Sequence, residues 1–204
     1  IFGRINYDYK GIYLLEFSAR ADASSKFPSH TQWAFFPSGS VGYRISEEPY
    51  FADAKEYVSN LKLRASYGTI GNQEIGSYMF LETMNKGQVS WLGAGDSKYY
   101  YFGTPNLVDP ALTWETIATA NVGIDLGFFN NDLNVNFDWY QRDTKDMLAP
   151  GKALPQVLGT SAPYMNAGSL RTRGWELNID WRHTFKDLDN LSLHANLNLA
   201  DYKA

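Results

Sequence analysis

The sequence predicts an all-β fold, specifically an antiparallel transmembrane β-barrel segment of about eight strands. Three observations predict it. Apolar and polar residues alternate with period two in segments mostly about nine to eleven residues long, the length a tilted strand needs to cross the hydrocarbon layer. The connections alternate between short and long, as on the two rims of such a barrel. Tyr, Trp and Phe gather at the ends of the apolar stripes, where the girdles of a membrane barrel lie.

The first strand, "IFGRINYDY", sets Ile1, Ile5, Tyr7 and Tyr9 against Phe2, Arg4, Asn6 and Asp8. Lys10–Gly11 reads as a tight turn, because Gly supplies the positive φ that short hairpins need. The return strand sets Leu15, Phe17, Ala19 and Ala21 opposite Glu16, Ser18, Arg20 and Asp22, and a polar loop follows. "FFPSGSVGYRI" places Val41, Tyr43 and Ile45 against Ser38, Ser40 and Arg44. "SEEPYFADAKEYVSN" breaks the alternation with helix-start signals around Ser46 to Pro49, so one short helix is expected there. This is an exception among the short connections.

"LKLRASYG" resumes the pattern, with Leu61, Leu63, Ala65 and Tyr67 against Lys62, Arg64 and Ser66. A long irregular stretch is expected from about Thr69 to Ala111. "ETIATANVGIDLGFF" and "LNVNFDWY" then form a pair joined by an Asn-Asn-Asp turn, with Ile124, Phe137 and Trp139 on one side and Asp125, Asn136 and Asp138 on the other. A second loop covers roughly Ala149 to Arg173. The last pair is "GWELNIDWR" and "LSLHANLNL", in which Trp175, Leu177, Leu197 and Leu199 oppose Asn178, Asp180, Asn196 and Asn198.

Composition narrows the function. A formal net charge of −4 with no basic patch argues against nucleic acid. No run of about eighteen apolar residues exists, which excludes a membrane helix and leaves a barrel open. A mean hydropathy of −0.37 fits strands of which every second residue faces a polar lumen. The absence of cysteine removes disulfides, thiolate catalysis and zinc-thiolate sites together. The chain opens and closes beside a strand, without an initiator Met or signal peptide, so both ends are expected to be cut from something longer. A soluble β-sandwich would alternate in the same way. Its polar face would carry more Lys to block edges, whereas this one is rich in Asn, Ser, Thr and charge pairs such as Arg4/Asp8 and Glu16/Arg20.

Five stretches, in order, resemble the barrel of SusC/RagA-like TonB-dependent outer-membrane transporters: "GRINYDYKGIYLLEFSARADASSKFP", "WAFFPSGSVGYRISEEPYF", "VSNLKLRASYGTIGNQEIGSY", "LTWETIATANVGIDLGFFNNDLNVNFDWYQRDTKDML" and "NAGSLRTRGWELNIDW". At Ala23 the chain departs from the Gly-containing form usual in that family, and the loops at 77–108 and 149–163 match nothing in it. The resemblance implies that residues 1–204 are one slice of a larger barrel of about twenty-two strands, from its C-terminal part, with signal peptide, TonB box and plug domain absent from this chain. It also implies location in the outer membrane, with lipid around the barrel and uptake driven by the TonB system through the missing plug region. The expected partner is a SusD-like surface lipoprotein, and the expected cargo is a glycan-derived oligosaccharide or, in some relatives, a peptide. The rivals are a soluble all-β carbohydrate-binding module and a small complete barrel with an adhesin or structural role.

No enzyme is legible. His30, His183 and His194 lie far apart without metal-ligand spacing, "GAGD" at 93–96 lacks the context of a phosphate loop, and Ser38 and Ser40 form no nucleophile elbow. No catalytic residue, metal or cofactor is therefore expected. The candidate ligand contacts are Asn72, Gln73, Tyr78, Trp91, Tyr99, Tyr100 and Tyr101, where aromatic faces would stack on sugar rings and amides would bond hydroxyls. Loop packing or contact with a partner lipoprotein is the plainer account of the same residues. Arg4, Arg20, Arg64, Asp125, Asp138 and Asp180 are expected to face the lumen and pack against the plug.

Overall fold

The structure, a computed structural model, describes residues 1–89, 99–185 and 191–204. Eight strands form one antiparallel sheet: β1 (Phe2–Tyr9), β2 (Tyr13–Ala23), β3 (Trp33–Arg44), β4 (Val58–Asn72), β7 (Glu115–Phe128), β8 (Leu133–Pro150), β9 (Tyr164–Phe185) and β10 (Leu191–Lys203). They lie side by side in chain order, with β1 and β10 at the two edges rather than paired with each other. A separate hairpin, β5 (Lys86–Val89) and β6 (Tyr99–Phe102), interrupts the connection from β4 to β7.

Register fixes two unlike faces. One ladder runs Tyr9, Tyr13, Tyr43, Leu63, Ile124, Phe137, Leu177, Leu199 across all eight strands. The ladder one residue away runs Asp8, Leu14, Gly42, Arg64, Gly123, Asp138, Glu176, Ala200 on the opposite face. Large apolar side chains on the first face lie open, Val122 at 55 % and Phe17 at 53 % exposure among them. A sandwich core would cover such side chains, whereas here they are open.

The apolar band has the dimensions of a membrane crossing. On β3 it runs from Trp33 to Tyr43, about 33 Å along the strand at ~3.3 Å per residue. At a barrel tilt of roughly 40° that is about 25 Å of height, the height of an outer-membrane band. Tilt also explains where the band ends. Ladders lie perpendicular to tilted strands, so each climbs about 3 Å per strand, or roughly 22 Å from β1 to β10. Tyr9 accordingly marks the turn-side rim on β1, while one ladder further along the same face Asp201 on β10 lies beside Trp175 at the loop-side rim.

Two turns hold this register. At the β1–β2 turn Lys10 and Gly11 both have positive φ (56° and 67°), and Ile12 N–H donates to the Tyr9 carbonyl at 3.1 Å. Between β7 and β8, Phe129, Asn130 and Asn131 are all left-handed (53°, 55° and 67°), and Asn134 Nδ2 donates to the Asn131 carbonyl at 2.8 Å. The expected single helix after β3 is two 3-10 helices, Ile45–Glu47 and Pro49–Glu56. Tyr43 stacks on Tyr13 with centroids 5.1 Å apart, Tyr13 donates to Glu48 at 2.7 Å, and the Tyr43 and Tyr50 hydroxyls meet at 2.8 Å. That network clamps the segment to the turn-side rim.

Three further expectations change. The stretch after Thr69 is not wholly irregular, since β4 continues to Asn72 and the β5–β6 hairpin lies within it. The loop expected at 149–173 ends earlier, because β9 begins at Tyr164. Gly168, Ser169 and a register shift around Met147 hide that part of the alternation. The charge pairs also re-form: Arg4 meets Glu16 on β2 at 3.5 Å, and Arg20 meets Asp22 at 2.6 Å. Residues four apart on a strand are about 13 Å distant, while a neighbouring strand is only ~4.8 Å away and the next residue on the same face of the same strand about 7 Å.

Candidate functional site

Arg4, Arg20, Arg64, Asp125, Asp138 and Asp180 all lie on the polar face. Arg64 is their centre. Its Nε and Nη2 donate to the two Asp125 carboxylate oxygens at 2.8 Å each, and Nη2 also donates to Asp138 Oδ2 at 2.9 Å. The guanidinium reaches both acids because Gly123 lies between them: a Cβ there would come within 2.8 Å of Nη2 and 2.5 Å of Asp138 Oδ1. Asn136 Nδ2 adds a bond to Asp125 at 3.3 Å. Asp138 Oδ1 is buried without a hydrogen-bond partner among the described residues, and Glu176 is its ladder neighbour on β9. One guanidinium thus bridges two carboxylates, and Lys62, the ladder neighbour of Asp125, adds a second cation to this stretch of wall. Further along, Asp180 meets His194 at 2.5 Å.

The loop end is built differently. Phe27, Phe36, Ile75, Leu112 and Trp114 form a closed cluster, with Phe27 wholly buried and Trp114 packed 5.1 Å from its ring. Polar bonds sew the loops over it. Thr31 Oγ1 donates to the Leu112 carbonyl at 2.8 Å, Trp114 Nε1 to the Gln32 carbonyl at 3.2 Å, and Asn166 Nδ2 to the carbonyls of Thr113 and Asp146. Beside this cluster is a concavity of about 660 Å³, lined by Arg4, Arg20, Asp22, Phe36, Gln73 and Trp114 among others. It therefore joins two of the polar-face arginines to Gln73, one of the candidate ligand contacts.

The remaining ligand candidates do not converge. Asn72 ends β4, where its side chain contacts Glu115 at 3.5 Å and accepts the Glu74 N–H at 3.0 Å. Tyr78 is exposed with φ at 61°. Tyr99, Tyr100 and Tyr101 lie on β6, so consecutive side chains alternate. Tyr101 covers Gly87, where any Cβ would come within 2.3 Å of its ring, and Tyr100 turns to the other face beneath Lys86 Nζ at 3.7 Å. Trp91 lies outside the described residues, as does the Gly93–Asp96 stretch. His183 bonds Asp132 at 2.6 Å, and among the described residues no group of three metal-ligating side chains is found.

Phe36, Trp114 and Glu176 are site residues that pattern reading overlooked. Glu176 follows the polar alternation of its strand, but its place beside Asp138 depends on a register set through a long loop. Trp114 lies just before β7 and is held with loop residues far away in sequence.

Comparison with known proteins closes the question of kinship. The family model for the TonB dependent receptor-like β-barrel matches residues 1–204. The chain belongs to this family. TonB-dependent receptor SusC of Bacteroides thetaiotaomicron is 35 % identical over 182 residues, covering 88 % of this chain and 18 % of the relative. TonB-dependent receptor P39 of Formosa agariphila is 36 % identical, covering 98 % of this chain and 19 % of the relative. Among solved structures, the RagAB peptide transporter aligns with a TM-score of 0.81 at 31 % identity, over 99 % of this chain and 22 % of its own. The siderophore receptor PirA from Pseudomonas aeruginosa, at 15 % identity and a TM-score of 0.60, shares the fold. The chain spans about a fifth of the length of the relatives it matches. As a TonB-dependent receptor barrel segment of the SusC/RagA type it lies in the outer membrane, and its open apolar face is the lipid-facing side of the wall.

Proposed function

We propose that these residues are part of the wall of a transporter that imports a nutrient too large for ordinary porins. The TonB system would supply the energy through a plug carried elsewhere in the protein, and a SusD-like surface lipoprotein would capture cargo above the loops. The polar face, with Arg4, Arg20, Arg64, Asp125, Asp138 and Asp180, then lines the lumen and meets the plug. The observation that carries this reading is the single ladder crossing eight strands, with apolar side chains open on one face and an ion cluster on the other. A glycan-derived oligosaccharide is the proposed cargo, met by Asn72, Gln73, Tyr78, Tyr99, Tyr100 and Tyr101. A peptide is the second reading, and similarity to the RagAB peptide transporter favours it.

Uptake by cells carrying the intact protein tests both. Import of labelled oligosaccharide that stops on TonB depletion supports the first reading, and import of oligopeptides alone supports the second. Tyr101→Ala should weaken oligosaccharide binding roughly three- to tenfold, the value of one lost stacking contact. Protein that stays monodisperse without detergent would sink the transporter reading altogether.

A further inference from the structure

Beyond the Trp139–Trp175 pair, the outward face of β8, β9 and β10 changes character. Register sets Gln141 beside Arg173 and Arg173 beside Lys203, and one ladder further out Asp143 beside Arg171. Lys145 continues the row on β8, opposite Thr116. Arg173 Nε donates to Gln141 Oε1 at 2.8 Å, a neutral acceptor, and among the described residues no carboxylate pairs with it. Arg171 meets Asp143 at 2.6 Å with its own side chain 58 % exposed. Against these four cations stand Asp143 and Asp201, with Asp146 beside Lys145 in the β8 irregularity, so the strip stays net positive on a chain whose formal charge is −4.

Height and direction identify the occupant. Directly below the strip lie the ladders Phe137–Leu177–Leu199 and Val135–Ile179–Leu197, which face acyl chains. Trp139 and Trp175 mark the boundary, so the cations lie at headgroup level on the long-loop side, which in such barrels is the outer leaflet. They point sideways into that leaflet rather than into the lumen. Guanidinium groups recognise phosphate through paired N–H bonds. A phosphate that carries acyl chains can use the strip and the ladders beneath it at once, and a free phosphate can use the strip alone.

We propose that Arg171, Arg173 and Lys203 form a docking strip for the phosphorylated headgroup of an outer-leaflet glycolipid, whose acyl chains lie along Leu177, Ile179, Leu197 and Leu199. The strip rests on the barrel-wall reading above. The test uses the intact protein in detergent, with bis-phosphorylated lipid A, the same lipid without phosphates, and inorganic phosphate as probes, read by native mass spectrometry. The phosphorylated lipid should be retained and the other two should not. R171Q/R173Q/K203Q should lose that preference, by roughly a hundredfold at low salt. Arg142→Gln, on the polar face of the same strand, should keep it.

Equal retention of the two lipids by the unaltered protein overturns the strip whatever the variants do, and so does a triple variant that assembles and retains the preference. Inorganic phosphate binding as tightly as the lipid overturns the lipid assignment. Loss of the preference in the triple variant with cargo uptake intact supports the strip. Absence of uptake by the unaltered protein counts against the transporter reading and leaves the lipid result to stand by itself.

Discussion

The wall and the loop end of this molecule are held together by opposite physics. In the wall, Val122 and Phe137 stay partly open on the apolar face, and order comes from ladder hydrogen bonds satisfied strand to strand in a medium without water. At the loop end, Phe27 and Leu112 are closed off as in any soluble core, and order comes from removing apolar surface from water. The same residue type therefore does different work in the two regions. A phenylalanine in the wall matches a solvent, and a phenylalanine at the loop end fills a hole.

Substitutions can break or sharpen that contrast. Phe27→Ala should cost about 3–5 kcal/mol locally, because it empties a filled core. Hydrogen exchange at residues 24–32 and 109–115 would report it, and an equal loss from Phe137→Ala would erase the distinction. Leu177→Arg places a charge on the lipid face and should cost about 2–4 kcal/mol near mid-bilayer, whereas Asn178→Arg, on the polar face, should assemble far more readily. Folding into vesicles, read by heat-modifiable migration, compares the two, and equal tolerance would remove the lipid from the account.

Gly123→Ala presses a methyl group against Arg64 and Asp138 and should cost about 1–3 kcal/mol. A thermal melt in detergent measures it, and Arg64→Met in the same background should add to the loss, because it leaves Asp125 and Asp138 without their guanidinium. Thr31→Val removes one bond to the Leu112 carbonyl, about 0.5–1.5 kcal/mol. Its effect should appear as faster exchange in the two loops, with the wall unchanged.

How much was legible follows from the same division. The wall could be read because its period is two and its faces differ, so Leu133 to Tyr140 could be assigned from eight letters. The reading weakened where Asn166, Gly168 and Ser169 replace the apolar beat at the start of β9. Short turns gave neighbours reliably, while partners across long loops, such as Asp138 with Glu176, did not declare themselves. The Phe27–Trp114 cluster stayed hidden because its members come from four separate segments with no shared period. The polar-face residues were named in advance, but the glycine that lets Arg64 lie flat between two acids was not.

The left-handed run Phe129–Asn130–Asn131 has a last consequence. It leaves no slack in the link between β7 and β8, so neither strand can advance past the other by a single position. Such an advance would present Asp138 to the membrane and fold Trp139 into the aqueous passage, an inversion of the kind every other ladder would inherit. Three awkward torsions thus act as a detent on which way round the whole wall is inserted.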